Sequence, residues 1–226
     1  MVFTVKCIYE FIATMIMILL GDGVCAGNTL KFAKGQNGGW VVITLAWGLA
    51  VMTGVLIAGP VSGAHLNPAV TLGLAIAGNF AWNEVFGYIL AQMAGGFLGA
   101  LLVYIYYRDH FKAHEGDVLG IFCTMPAIDH KSQNFLCELI ATFVLVFVIL
   151  AMGAQNSVFP ITGLIMAIGM SLGGTTGYAL NPARDLGPRL VHQLTLRRDS
   201  GWAYSWVPIA GPLVGAAVAA GLWLLL

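Results

Sequence analysis

Apolar residues run in blocks along the chain, and six blocks are long enough to supply the residues that a crossing of a lipid bilayer requires. That requirement is about 20 residues for a hydrocarbon core of roughly 30 Å. The blocks lie near residues 6 to 26, 40 to 59, 84 to 106, 134 to 153, 160 to 178 and 204 to 226, and they predict six transmembrane helices. Trp40, Trp82, Trp202, Trp206 and Trp223 fall at block edges, where an amphipathic ring sits at headgroup level. Trp47 departs from this belt: at 1.5 Å per residue it lies about 10 Å along the second helix from Trp40.

Two further apolar pieces, Pro68 to Gly78 and Pro182 to about Leu194, are too short to span and each begins at an Asn-Pro. They predict re-entrant half-helices. The same words recur in order: "SGAHLNPAV" (62 to 70) aligns with "TGYALNPAR" (176 to 184), "EFIAT" from Glu10 with "ELIAT" from Glu138, and "AGGFLGA" (94 to 100) with "AGPLVGA" (210 to 216). Matching landmarks in matching order predict a duplicated unit of three spans and one half-helix. The two copies occupy about 1–110 and 130–226 of a single domain, 1–226, and a long loop, 107–133, joins them. An odd number of spans per unit inverts one copy relative to the other, so the half-helices enter from opposite faces and meet near the middle.

Composition agrees with a membrane protein: 59% of residues are hydrophobic and 9% charged, against about 25% charged in soluble domains. Mean hydropathy is +0.86. Formal net charge is zero, which leaves no basic surplus for nucleic acid. Cys7, Cys25, Cys123 and Cys137 show no metal-binding spacing and read as buried free thiols. The first apolar run lacks a basic n-region and a cleavage site and reads as a retained span. The final "LWLLL" reads either as a helix stopping at the interface or as one followed by a tail outside this sequence. Lys31, Lys34, Arg108, Lys112, Lys131, Arg197 and Arg198 fall in loops on one side. A literal positive-inside count would therefore place both termini outside.

The chemistry sits in the Asn-Pro pairs. Proline suits the first position of a helix and asparagine the N-cap before it. Irregular backbone at membrane depth persists only where protein packs it or water faces it, so two converging approaches imply a water-filled path. With the side-chain carbonyls of Asn67 and Asn181 capping their own helices, both NH2 groups are left as donors toward that path. The positive ends of both half-helix dipoles point the same way and disfavour cations. Backbone carbonyls of Gly63, Ala64 and His65, and of Gly177, Tyr178 and Ala179, would add a ladder of acceptors.

On these residues the chain resembles the major intrinsic protein family, the aquaporins and glycerol facilitators, over essentially its whole length, and within it the bacterial aquaglyceroporins. The resemblance implies an aquaporin-like, all-α membrane fold of six transmembrane helices plus two re-entrant half-helices in an inverted repeat. It also implies a homotetramer in the lipid of the plasma membrane, one pore per subunit and cytoplasmic termini. Exclusion of cations by an arginine and half-helix dipoles is a mechanism already described for aquaporin-type pores. Aligned on the two motifs, Trp47, Gly169, Tyr178 and Arg184 take the positions of the selectivity filter. Water-selective members typically carry a histidine at the Gly169 position, whereas glycerol facilitators carry glycine and a second aromatic, as Tyr178 is here. Two ring faces suit a carbon chain and Arg184 donates to hydroxyls. Asp185, Arg189 and Pro208-Ile209 also resemble the facilitators, whereas Met125 replaces a usual aromatic and Tyr178 a usual phenylalanine.

The expected function is passive conduction of glycerol, other small neutral solutes and water, with no cofactor, no metal and no enzymatic reaction. A water-selective pore, or one for urea, dihydroxyacetone, hydrogen peroxide or undissociated lactic acid, stays open as an alternative. Glu10 and Glu138 read either as proton relays of a coupled transporter or, as in the resembling family, as structural acceptors that hold each approach; Asp185 joins them as support. His65 reads as a pH-sensitive gate or as a neutral donor orienting water. Asp22 is expected to be a vestibule residue in contact with water. The loop residues His110, His114 and His130, with Asp109, Glu115, Asp117 and Asp129, are expected to be solvated.

Overall fold

The computed structural model describes residues 2–153 and 158–226, and among them every regular element is a helix. In chain order these are α1 (Phe3–Thr29), α2 (Gly39–Ser62), α3 (Pro68–Ile76), α4 (Trp82–Tyr106), α5 (Arg108–Ala113), α6 (Leu119–Phe122), α7 (Lys131–Met152), α8 (Val158–Leu172), α9 (Pro182–Leu196) and α10 (Val207–Trp223). Helices α1, α2, α4 and α7 are long and apolar enough to cross a membrane, and α8 and α10 are apolar but shorter. The expected block 160 to 178 overruns α8, which stops at Leu172 before Gly173-Gly174. Glycine weakens a helix by about 1 kcal/mol relative to alanine, and the chain beyond it turns into the approach to Asn181.

The outward faces of the long helices are apolar, charged residues such as Lys31, Lys34, Arg108 and Arg198 are exposed in the connecting segments, and a further set of polar and charged groups is turned inward. Leu45, Leu49, Leu56, Phe86, Leu90 and Ile140 are exposed, whereas Glu10, Asp22, Gln92, Glu138, Asp185 and Arg189 are fully buried. This distribution suits a lipid-facing exterior, where an outward charge is costly and an inward one finds partners.

The two short helices are exchanged between the halves. Helix α3 packs most extensively on α10, and α9 on α4, while α1 with α4 and α7 with α10 make the closest long-helix pairs. Those pairs explain the echo between "AGGFLGA" and "AGPLVGA". A Cβ built on Gly95 would lie 2.5 Å from the Phe11 carbonyl oxygen and 3.0 Å from Thr14 Cβ, both on α1. One built on Gly211 would lie 2.7 Å from Glu138 Cβ and 3.1 Å from the Phe135 oxygen, both on α7. Glycine therefore lets backbones touch at corresponding crossings, as small residues do in membrane helix pairs.

The segment 107–133, expected as a solvated loop, folds inward over part of its length. It contains α5 and α6, and Ile121, Phe122 and Cys123 are fully buried. Its apolar run "LGIF" is too short to announce a span, so only contact with α1 and α9 could reveal that it is packed.

The close crossings set a pair of opposite expectations. Gly95→Ala should destabilise the detergent-solubilised protein by about 1–3 kcal/mol through overpacking. Gly23→Ala, where an added Cβ meets nothing within 4 Å, should stabilise it by up to about 1 kcal/mol through helix propensity. Thermal unfolding midpoints of the two variants against the parent chain read both signs.

Candidate functional site

The site is built from two stretches of non-helical backbone, 63–67 and 177–181. Their dihedrals repeat: φ is 86° at Gly63, 51° at Ala64 and 53° at Leu66, against 86° at Gly177, 41° at Tyr178 and 56° at Leu180. Left-handed φ at non-glycine residues costs energy and persists where surrounding structure over-determines it. Two buried carboxylates supply that determination. Glu10 Oε1 accepts from Ser62 Oγ at 2.6 Å and from the His65 N–H at 2.9 Å, and Oε2 accepts from the Leu66 N–H at 2.7 Å and Gln92 Nε2 at 2.8 Å. Glu138 Oε1 accepts from Thr176 Oγ1 at 2.6 Å and the Ala179 N–H at 2.9 Å, and Oε2 from the Leu180 N–H at 3.0 Å.

Planar trans peptides then orient the carbonyls. The N–H groups of Ala64, His65 and Leu66 turn toward Ser62 and Glu10, so the carbonyls of Gly63, Ala64 and His65 turn the opposite way. The same logic turns the carbonyls of Tyr178 and Ala179 away from Glu138. Among the described residues no protein donor reaches any of these carbonyls or that of Gly177, and all six residues line one cavity of about 110 Å³. Met17, Val51, Val55, Leu145, Ile149 and Ile165 add apolar lining to the same cavity.

Asn67 and Asn181 meet in that cavity as N-caps of α3 and α9. Asn67 Oδ1 accepts from the Ala69 N–H at 2.8 Å, and Asn181 Oδ1 from the Ala183 N–H at 2.9 Å. The expectation that both NH2 groups are wholly left for the path needs correction. Asn67 Nδ2 donates to the Leu180 carbonyl and Asn181 Nδ2 to the Leu66 carbonyl, each at 2.8 Å. Each amide therefore spends one hydrogen tying the halves together and keeps one.

His65 lines the same cavity, with its Nδ1 at 3.1 Å from Thr71 Oγ1 and its ring against Phe80 and Tyr88. A second cavity lies beyond, bordered by Trp40, Cys25, Cys123, Thr124 and Met125. Trp47, Gly177, Tyr178 and Arg184 border both cavities and so form the junction. Arg184 lies over the Trp47 ring, Cζ 4.2 Å from its centroid.

Gly169, expected beside these residues, borders neither cavity. A Cβ on it would lie 2.8 Å from Tyr178 Cζ, so the missing side chain is the space in which the tyrosine ring rests. Its carbonyl accepts from Trp40 Nε1 at 3.0 Å, and Trp40 meets the Tyr178 ring edge-on at 5.8 Å. The position of Trp40 at a block edge marks it for the interface, while its spacing from Trp47, about two helical turns, is the sequence sign that both face the same way.

Asp22 also differs from expectation. It is fully buried, and its Oδ1 lies 3.2 Å from Arg184 Nη1. Helix α1 packs on α2, α4 and α6, and the partner of the Asp22 side chain comes from α9. Asp185 supports the inward-folded segment: its Oδ2 accepts from the Thr124 N–H and Oγ1, both at 2.8 Å, and its Oδ1 from Arg189 Nε at 2.8 Å. Arg189 reaches on to the Ser200 carbonyl at 2.6 Å. Cys25 and Cys123 are buried, whereas Cys7 and Cys137 are only partly so; all four are free.

The Glu138 cluster allows a direct test. Glu138→Ala strands the Thr176 hydroxyl and two backbone N–H groups, at about 1–3 kcal/mol per buried group. Thermal stability in detergent should fall accordingly, and Glu138→Gln, which keeps one acceptor oxygen, should fall less.

Residues 1–223 match the protein family described as Major intrinsic protein. The chain is 54% identical over 226 residues to "Glycerol uptake facilitator protein 3" of Lactiplantibacillus plantarum, covering 95% of this chain and 93% of that protein. It is 49% identical over 224 residues to "Probable glycerol uptake facilitator protein" of Thermotoga maritima, covering 95% and 96%. Among solved structures, the aquaglyceroporin from Plasmodium falciparum superposes with a TM-score of 0.87 at 31% identity, covering 98% of this chain and 96% of that one.

Proposed function

The chain belongs to the major intrinsic protein family, and on that premise we propose that it is a passive membrane channel for glycerol and other small neutral solutes together with water. The observation that carries the choice of solute is the junction between the two cavities, which Trp47, Tyr178 and Arg184 border together, with Arg184 stacked on the Trp47 ring. Two aromatic rings form an apolar corner for carbon-bound hydrogens, and the guanidinium donates to hydroxyl oxygens. The bacterial relatives named as glycerol uptake facilitators support the same reading.

Past the junction the solute meets a path with two kinds of lining. Unpartnered carbonyls of Gly63, Ala64, His65, Gly177, Tyr178 and Ala179 accept from its hydroxyls, and the free hydrogens of Asn67 and Asn181 donate to its oxygens. Apolar residues of the same cavity carry its carbon backbone. A neutral polyol exchanges its hydration for these contacts at little cost. A cation meets the positive ends of α3 and α9 and loses its hydration shell, and protons are excluded on the same electrostatic ground.

Glu10 and Glu138 act as structural acceptors in this reading, since each is already occupied by donors from its own approach. No step of conduction changes their charge. The two halves, about 1–110 and 130–226, form an inverted pair around one pore. The assembly is a homotetramer in the plasma membrane with both termini cytoplasmic, and no enzymatic reaction or cofactor is involved.

Reconstituted vesicles test the solute. In stopped-flow light scattering, a glycerol gradient should give shrinkage followed by protein-dependent re-entry; shrinkage without re-entry would leave a water channel. Accumulation driven by a pH gradient would point to a coupled transporter instead. In the same assay Gly169→His should slow glycerol by on the order of tenfold, a barrier change of about 1.4 kcal/mol, and water much less. The reason is that its side chain needs the space held by Tyr178. Equal losses would remove Gly169 and Tyr178 from the control of selectivity.

A further inference from the structure

One buried charge at the junction has no part in the solute path described above. Asp22 on α1 is fully buried, and its Oδ2 has no partner among the described residues. A carboxylate in such surroundings is costly and is retained when a partner compensates it. That partner is Arg184, with Nη1 at 3.2 Å from Asp22 Oδ1 and at 3.0 Å from the Phe122 carbonyl oxygen. Arg184 Nε and Nη2 have no protein acceptor among the described residues, so the guanidinium is held from one corner. Gly21, one residue before Asp22, lies so close to the Trp47 ring that a Cβ would overlap it. Helix α1 therefore touches the junction twice, backing the tryptophan and gripping the arginine.

We infer that Asp22 is a positioning and specificity-determining residue of the junction, which anchors Arg184 Nη1 and turns a bare cation into a compensated ion pair. The reasoning concerns the reach of electric fields. A lone guanidinium in a narrow, weakly screened path attracts anions from a distance. With a carboxylate 3.2 Å behind it, the field along the path is that of a dipole and decays faster than that of a charge. A hydroxyl in contact still finds the Nε and Nη2 donors, whereas an anion further away is no longer drawn in. Neutral solutes need the near field only, so the pair keeps their binding and removes an anion trap. Cation exclusion stays with the ends of α3 and α9.

The inference rests on the channel reading of the same site, and its test reads ions as well as solutes. Asp22→Asn, Asp22→Glu and the parent chain are reconstituted in vesicles. Water and glycerol permeability are measured by light scattering, and iodide influx by quenching of an entrapped fluorophore. Asp22→Asn should raise iodide influx on the order of tenfold, the scale of one lost charge contact at a partly buried site. It should also lower the glycerol-to-water ratio, because the guanidinium loses its anchor. Asp22→Glu, which keeps the charge, should hold iodide influx near the parent value.

If Asp22→Asn reconstitutes poorly, the double variant Asp22→Asn with Arg184→Val is compared with Arg184→Val alone. Arg184→Val alone leaves the carboxylate unmatched and the double variant leaves no charge, so higher iodide influx in the double variant supports the inference and equal influx overturns it. Parent-like iodide influx and solute ratio in Asp22→Asn would overturn it. So would equal losses of water and glycerol without a gain in iodide, since a merely structural carboxylate behaves that way. Failure of the parent chain to pass glycerol would instead sink the polyol reading, and the iodide measurements would still decide the role of Asp22.

Discussion

Backbone within hydrocarbon has to satisfy its own N–H and C=O groups, and the stretches 63–67 and 177–181 meet that demand through Glu10 and Glu138. Each buried carboxylate gathers the N–H groups of one approach. The peptide planes then leave the carbonyls facing the cavity. The left-handed backbone at Ala64, Leu66, Tyr178 and Leu180 is held by the same contacts. The acceptor wall of the path is thus a by-product of where two glutamates stand, and the path would lose its order if either lost its charge or its place.

The second level of organisation joins the halves. Helix α3 lies against α10 and α9 against α4, and the amides of Asn67 and Asn181 donate across to Leu180 and Leu66. Neither half could cap its own approach in this way alone. The interlock explains why an asparagine, rather than the serine or threonine that caps equally well in many helices, stands at both positions. An amide accepts for its own helix and still has two hydrogens, one for the partner half and one for the path.

At the junction the protein separates recognition from charge. Trp47, Tyr178 and the free edge of Arg184 border both cavities, with Arg184 stacked on the Trp47 ring, while Asp22, Phe122 and Gly169 border neither and hold these groups from outside. A supporting group here works by geometry and field, not by touching what passes. That division is consistent with a narrow path through which neutral molecules move and in which an uncompensated charge would be held.

The chain's order of residues determined the membrane class, the duplicated words, both Asn-Pro helix starts and the glutamates at equivalent places, because these depend on local composition and on spacing within a helix. It also marked Trp47, Tyr178 and Arg184, which border the junction. Tertiary structure decided the rest. The cross-half amide bonds, the place of Gly169 behind Tyr178, the inward fold of residues 121–124 and the pairing of Asp22 with Arg184 all join residues far apart in the chain. Asp22 looked like a wetted vestibule acid because an acid near a helix end ordinarily reaches water. It is buried within the helix bundle, where an arginine from α9 arrives to meet it, which no local pattern in α1 records.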